Sequence, residues 1–192
     1  MLEAIAKRRS VRTYRREAPT AGQLHEIVKA AGMAPSGMDS QSWQFILLTG
    51  EALEYIRLVV RDHFRTMQLT ENHPPFFFKC REWAKDDGWS FFYGAPALLV
   101  VANRYGYANA AADCAAATEN AAIEATALGL ASCWITTLSG TCLDAPIHAA
   151  LTRLGLKPGY RVYTSLAIGY ADGIPEASPR KYEFTEVTTV GD

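Results

Sequence analysis

Ten residues near the N-terminus, Lys7 to Arg16, carry six cations (Lys7, Arg8, Arg9, Arg12, Arg15 and Arg16) and no acid. Like charges this dense repel one another, and an anion placed among them relieves the repulsion. Arginine forks bind phosphate oxygens in pairs, and Ser10 adds a hydroxyl donor. Arg8, Arg9, Ser10 and Arg12 are therefore candidates for holding a phosphate, although a solvated basic face has the same composition. A second candidate is Ala34-Pro35-Ser36-Gly37-Met38-Asp39-Ser40-Gln41-Ser42-Trp43. Small residues let a backbone approach a flat ligand closely, and Asp39, Ser40 and Gln41 offer polar edges to a heteroaromatic ring. An ordinary turn-rich loop would read the same way. A third is Ser132 to Gly140, with Thr136 and Thr137 at the exit of a strand, where loops commonly carry function. Ser178-Pro179-Arg180-Lys181 adds a small basic group near the C-terminus.

Common catalytic signatures are missing. The chain has no G-x-G-x-x-G, G-x-x-x-x-G-K, H-E-x-x-H or G-x-S-x-G, which removes the Rossmann, P-loop, zincin and serine-hydrolase readings. His25, His63, His73 and His148 have no metal-ligand spacing, and Cys80, Cys114, Cys133 and Cys142 form no C-x-x-C. No metal site is expected. Buried thiols in a reducing compartment are the simplest account of the cysteines.

The candidate segments need a scaffold to position them. Leu2, Ile5 and Ala6 share one face of a short first helix. Thr20 and Gln23 form a capping box that starts a second helix, in which Leu24, Ile27, Val28 and Ala31 follow helical spacing and Gly32 is a plausible end. Trp43 to Thr49 reads as a buried strand, and Glu51 to about Met67 as a third helix. Residues 69–93 are rich in aromatics (Phe76 to Phe78, Trp83, Trp89, Phe91, Phe92, Tyr93) and show no clear period, which suits a lid or wall better than a linker. Ala97 to Ala102 is a second strand. Ala110 to Leu128 is an alanine-rich helix without proline or glycine. Ala131 to Thr136 is a strand, Pro146 to Leu154 a short helix and Arg161 to Ile168 a fourth strand. A tail begins near residue 171. One domain spanning 1–192 is the economical organisation, and the interleaved elements with long connections suit an α+β class.

With 192 residues, 49% of them hydrophobic, the chain can bury a proper core. Its 19 basic and 20 acidic residues give a net charge of −1, so no extended basic surface for nucleic acid is expected and any anion site is local. No apolar run reaches membrane-spanning length, and the start lacks a signal-peptide pattern. A cytoplasmic protein without a membrane partner is the expectation.

Taken in order, the motifs resemble the nitroreductase family of FMN enzymes. The family pattern opens with R-R-S-x-R and continues with A-P-S and N-x-Q-P-W. It goes on to an alanine-rich helix before G-L-x-S-C-W-I, and ends with I-G-Y and a basic residue in the tail. This chain has Arg8-Arg9-Ser10-Val11-Arg12, Ala34-Pro35-Ser36, Gln41 and Trp43. It also has Gly129-Leu130-Ala131-Ser132-Cys133-Trp134-Ile135, Ile168-Gly169-Tyr170 and Arg180. Asp39 stands where the family usually has asparagine, and Ser42 where it has proline. The resemblance implies a mixed sheet flanked by helices in an intertwined homodimer, with FMN at the dimer interface. It implies that Arg8, Arg9, Ser10, Arg12 and Arg180 hold the phosphate and ribityl chain. Pro35, Ser36, Gly37, Met38 and Asp39 would come from the other subunit to the ring, and Gln41 would lie near the ribityl chain or ring edge. Backbone N–H groups of Thr136 and Thr137 would face flavin N5 and O4, where hydrogen bonds tune redox behaviour.

The activity implied is transfer of electrons from NAD(P)H through flavin N5 to an electron-poor aromatic acceptor such as a nitroaromatic or quinone. The flavin carries the chemistry, so no side-chain acid or base is nominated. Thr136-Thr137-Leu138 also resembles the threonine-rich turn of the iodotyrosine deiodinase branch, which makes reductive dehalogenation an alternative. That branch clamps its substrate with a Glu, a Tyr and a Lys from the lid, and no tyrosine lies between Tyr55 and Tyr93 here. A non-enzymatic flavin-binding sensor is the alternative from another class.

Overall fold

A computed structural model describes residues 1–173 and 188–191. Four strands, β1 (Gln44–Thr49), β2 (Ala97–Arg104), β3 (Ala131–Ile135) and β4 (Tyr160–Gly169), form one sheet in the order β1-β2-β4-β3. All three pairings are antiparallel. Among the described residues, parallel geometry enters only as a bridge between Ser10 and Ser132, which is how the N-terminal segment extends the sheet beyond β3. A bulge between Val101 and Ala102 shifts the β2–β4 register.

Helices cover both faces. Leu98, Val100 and Ala102 of β2 join a core with Ile56, Val60 and Phe64 of α3 (Gly50–Thr66) and with Ile147 and Leu151 of α7 (Ala145–Arg153). Ala97, Leu99 and Val101 point the other way, to α2 (Ala21–Gly32) and α5 (Ala110–Ala127). This explains why β2 is apolar without alternation: a central strand covered on both faces has no solvent side. Full burial of side chains such as Ile56, Leu98 and Leu99 contributes about 1.5–3 kcal/mol each. In α5, Cys114, Ala117, Ala121 and Ala125 recur at three- and four-residue spacing and are buried. Their small side chains let α2 pack close by, and Asn120 Nδ2 donates to Ala30 O at 3.2 Å across that contact.

The capping box of α2 is present in both directions, and each strand and long helix expected from sequence forms to within two residues. Two helices escaped the sequence pattern. The first, α4 (Pro75–Trp83), begins with proline in its first turn, where the missing N–H costs nothing. Only Phe77, Cys80 and Ala84, spaced at i, i+3 and i+7, enter the core, while Phe76, Phe78 and Trp83 remain exposed. Three consecutive phenylalanines thus hide the helical period. The second is the single turn α6 (Thr137–Thr141). The first helix, α1 (Glu3–Lys7), forms as expected, but Leu2 and Ile5 stay exposed in the protomer.

The aromatic segment is fastened to α3 by three arginines one turn apart. Arg57 donates to Asp87 O at 2.9 Å and Trp89 O at 2.8 Å. Arg61 donates to Asp87 O at 3.1 Å, and Arg65 reaches Ala84 O, Lys85 O and the Asp87 carboxylate. Trp89 is thereby set edge-on against Phe64, 5.9 Å between centroids.

Candidate active site

The segment Ser10–Tyr14 runs beside β3. Val11 N donates to Ser132 O at 2.9 Å, Arg15 N to Tyr170 O at 2.9 Å, and Tyr14 Oη to Val11 O at 2.8 Å. Extended backbone alternates its side chains, and this divides the basic cluster. Arg9 and Val11 line one cavity of about 240 Å³ with Lys7, Thr126, Gly129 and Ala131. Arg8, Ser10 and Arg12 do not line that cavity. Arg9 Nη1 donates to Ala6 O at 2.7 Å and Arg8 O at 2.8 Å, closing the end of α1, while its Nε is buried without a partner among the described residues. Arg8 pairs with Glu119 of α5 at 2.9 Å. Arg12 lies over the Tyr93 ring, 5.7 Å from guanidinium carbon to centroid. A hydrogen bond to Tyr93 holds the Arg12 guanidinium above its ordinary pKa.

Tyr93 leads to the aromatic wall. With Phe76, Trp83, Trp89, Ser90, Phe91 and Thr137 it lines a cavity of about 270 Å³. Thr137 sits at its floor because β3 ends at Ile135 and the chain turns at once into α6. The Thr136 carbonyl accepts from Gly140 N and Ser139 Oγ, and the Thr137 carbonyl from Thr141 Oγ1. With both carbonyls tied back, the N–H groups of Thr136 and Thr137 occupy a first turn, where no intrahelical acceptor exists. One protomer therefore brings together Arg12, Tyr93 and Thr137: a cation, an aromatic ring and the first turn of a short helix.

The same protomer does not bring the Pro35–Gln41 loop to that place. The loop feeds β1, on the opposite edge of the sheet from β3. At roughly 4.8 Å per strand, the two edges stand about 14 Å apart. The loop is nonetheless built with care. Asp113, buried in the first turn of α5, accepts from Gly37 N at 3.1 Å, and Tyr107 Oη donates to Gly37 O at 3.1 Å. Any side chain at Gly37 would collide, since a Cβ there would lie 2.0 Å from Asn109 Nδ2. Gln41 N donates to Ser36 Oγ at 3.0 Å, and Gln41 Nε2 to Asp39 Oδ1 at 2.8 Å. Met38, Asp39 and Gln41 all have left-handed φ values of 53°, 51° and 42°, a conformation that costs non-glycine residues energy and persists where the surroundings enforce it. Met38 is fully exposed. Ser42, where proline is usual, donates to the buried Asn103 Oδ1 at 2.9 Å.

Arg180 lies outside the described residues. The sequence pattern had singled out neither Tyr93 as the partner of Arg12 nor Tyr107 and Asp113 as anchors of the loop. These contacts span 70 to 81 positions and leave no local signal. All four cysteines are buried. Burial pushes the Cys80 and Cys114 thiols up to about 12, so they suit a core rather than chemistry. No helix among the described residues is long and apolar enough to cross a membrane.

Comparison with known proteins accords with this geometry. A nitroreductase of Bacteroides fragilis with bound FMN superposes with a TM-score of 0.86 at 33% identity, covering 97% of each chain. A nitroreductase of Desulfitobacterium hafniense with bound FMN gives 0.77 at 28% identity, also covering 97% of each. In sequence, a candidate NADH dehydrogenase/NAD(P)H nitroreductase of Archaeoglobus fulgidus is 28% identical over 88% of this chain and 84% of its own. An iodotyrosine deiodinase of Thermotoga neapolitana is 31% identical over 53% of this chain and 54% of its own. The model of the Nitroreductase family matches residues 5–170, and with an antiparallel sheet, a basic edge segment and an aromatic wall arranged as described, the chain belongs to that family.

Proposed function

We propose that this protein binds FMN between two copies of the chain and passes electrons from NAD(P)H to an electron-poor aromatic acceptor such as a nitroaromatic or quinone. The observation that carries the reading is the continuous line from Arg12 through Tyr93 to Thr137, which runs from a cation to the aromatic wall. Bound FMN supplies the ring on which electrons are stored. The chain's residues hold and orient it. Arg8, Ser10 and Arg12, with Arg180 from the tail, take the phosphate and ribityl end, and Arg9 closes α1 and keeps the segment extended. The Thr136 and Thr137 N–H groups address the polar edge of the ring. The left-handed Pro35–Gln41 loop reaches the ring of the partner's site, which accounts for its rigid anchoring and for the fully exposed Met38 at its tip. Phe76, Trp83 and Trp89 exclude water above the ring and stack against flat acceptors.

The test is direct. Purified protein should be yellow, lose its colour when NADH or NADPH is added without oxygen, and regain it on addition of a nitroaromatic or quinone. A colourless protein that also fails to take up added FMN overturns the reading. Reductive dehalogenation is the second reading, favoured by the likeness to the Thermotoga neapolitana deiodinase and by Thr136-Thr137 at the wall's base. Halide release from a halotyrosine under reducing conditions, exceeding nitroaromatic turnover, would select it.

A further inference from the structure

Beside the aromatic cavity lies a second one, of about 360 Å³, lined by Phe76, Phe77, Thr136, Ser139, Gly140, Arg161 and Tyr163 among others. Phe76 borders both cavities, and the adjacent residues Thr136 and Thr137 form the base of one each. The second cavity differs in holding a cation. Arg161, half-buried on β4, donates through Nη2 to Ser139 O at 3.0 Å. Its guanidinium carbon lies 5.3 Å from the Tyr163 ring centroid and 5.8 Å from that of Tyr105. A side-chain hydrogen bond also links the guanidinium to Cys142. Its Nε is buried without a hydrogen-bond partner among the described residues, and none of the ion pairs among them involves Arg161. This contrasts with Arg57, Arg61 and Arg65, whose forks are committed to carboxylates and loop carbonyls.

A guanidinium that lies beside two aromatic rings and is tied to Ser139 O has lost part of its freedom before any ligand arrives, so it binds an oxyanion at smaller further entropic cost than a free side chain. From this geometry we infer that Arg161 is a specificity residue that binds the carboxylate of an aromatic acid whose ring occupies the neighbouring wall cavity. The inference rests on the proposed function and names the acceptor class for the same site: flat, electron-poor aromatics bearing a carboxylate. The other anion available to such a site is a phosphate of the nicotinamide donor, and the test separates the two.

The holoenzyme is assayed with 4-nitrobenzoate and with its neutral methyl ester, in the native protein and in Arg161→Met and Arg161→Lys. Loss of a charge-assisted fork contact of about 1.5–3 kcal/mol corresponds to roughly a 10- to 100-fold rise in KM for 4-nitrobenzoate in Arg161→Met. The ester's KM should stay within about twofold, and Arg161→Lys, which keeps the charge but not the fork, should fall between. A second readout needs no turnover: quenching of Trp83 and Trp89 fluorescence by 4-nitrobenzoate should weaken by a similar factor, with FMN content unchanged. Equal loss toward acid and ester, or a change confined to the KM for NADPH, overturns the inference. So does a native enzyme that handles acid and ester alike. If the native holoenzyme reduces the ester but shows no preference for the acid, only this inference fails. If it binds no FMN and reduces neither, the proposed function itself has failed.

Discussion

The placement of Arg12 and Gly37 on opposite edges of one sheet makes a prediction that a mixing experiment can test. If each FMN site takes the basic segment from one protomer and the Pro35–Gln41 loop from the other, lesions in the two segments complement. Arg12→Ala removes a guanidinium from the phosphate end. A charge-assisted hydrogen bond contributes about 1.5–3 kcal/mol, so FMN binding should weaken by roughly 10- to 100-fold. Gly37→Ala places a Cβ 2.0 Å from Asn109 Nδ2 and 2.6 Å from Tyr107 Oη, so those two side chains or the loop itself must shift. A shift of Tyr107 loosens its bond to Gly37 O, and a shift of the loop also loosens the bond from Gly37 N to Asp113. In the second case the buried Asp113 carboxylate loses a donor, at a cost of about 1–3 kcal/mol to the loop's position. Each variant alone should therefore purify with little flavin. Mixed in equal amounts and allowed to exchange subunits, random pairing makes about half the dimers mixed, and each mixed dimer holds one unaltered site and one doubly altered site. About a quarter of all sites should regain tight FMN, read from the flavin absorbance retained after gel filtration. If loop and basic segment served the same protomer's site, every site would carry one lesion and none would recover. A mixture that regains no flavin, from variants that each remain folded and dimeric, refutes the arrangement.

Other consequences follow from the packing. Phe64 is fully buried and meets Phe77 and Trp89 edge-on, so Phe64→Ala should lower stability by about 3–5 kcal/mol in denaturant melts. Phe76, 39% exposed on the wall, should affect stability far less when changed to alanine while raising KM for aromatic acceptors. Asp87 and Glu54 have carboxyls held below their ordinary range, first by the side-chain hydrogen bonds from Arg65 and Arg57 respectively. A depressed folded-state pKa adds stability above the ordinary carboxylate range that is lost as pH falls through the lowered value. The loop bearing Trp89 should therefore loosen in acid, below about pH 4, seen as a change in tryptophan emission that Arg65→Ala produces already at neutral pH. Burial raises all four thiols, so a thiol reagent at pH 8 should modify none in the native protein and all four after denaturation.

The sequence alone determined what depends on local chemistry and on order along the chain. The capping box at Thr20, the i, i+3, i+4 stripe of α2 and the alanine run of α5 each specify a helix by themselves, because the propensity and the hydrogen bonds involved lie within one element. The order of the Arg8–Arg12, Ala34–Ser36, Gly129–Ile135 and Ile168–Tyr170 motifs was enough to point to the family. What the sequence left open depended on contacts between distant positions. Arg9 lines a cavity beside α5 and β3, Arg8 pairs with Glu119 and Arg12 lies over Tyr93, and these different fates arise only once the segment sits beside β3. The aromatic stretch showed no period because Phe76 and Phe78 face outward while Phe77 faces the core, and only the packing against α3 makes the distinction. Tyr93 under Arg12, Asp113 beneath Gly37 and Arg161 against Ser139 and Tyr105 join residues tens of positions apart. Such pairs are set by sheet order and by which helix covers which face, and these are properties of the assembled core.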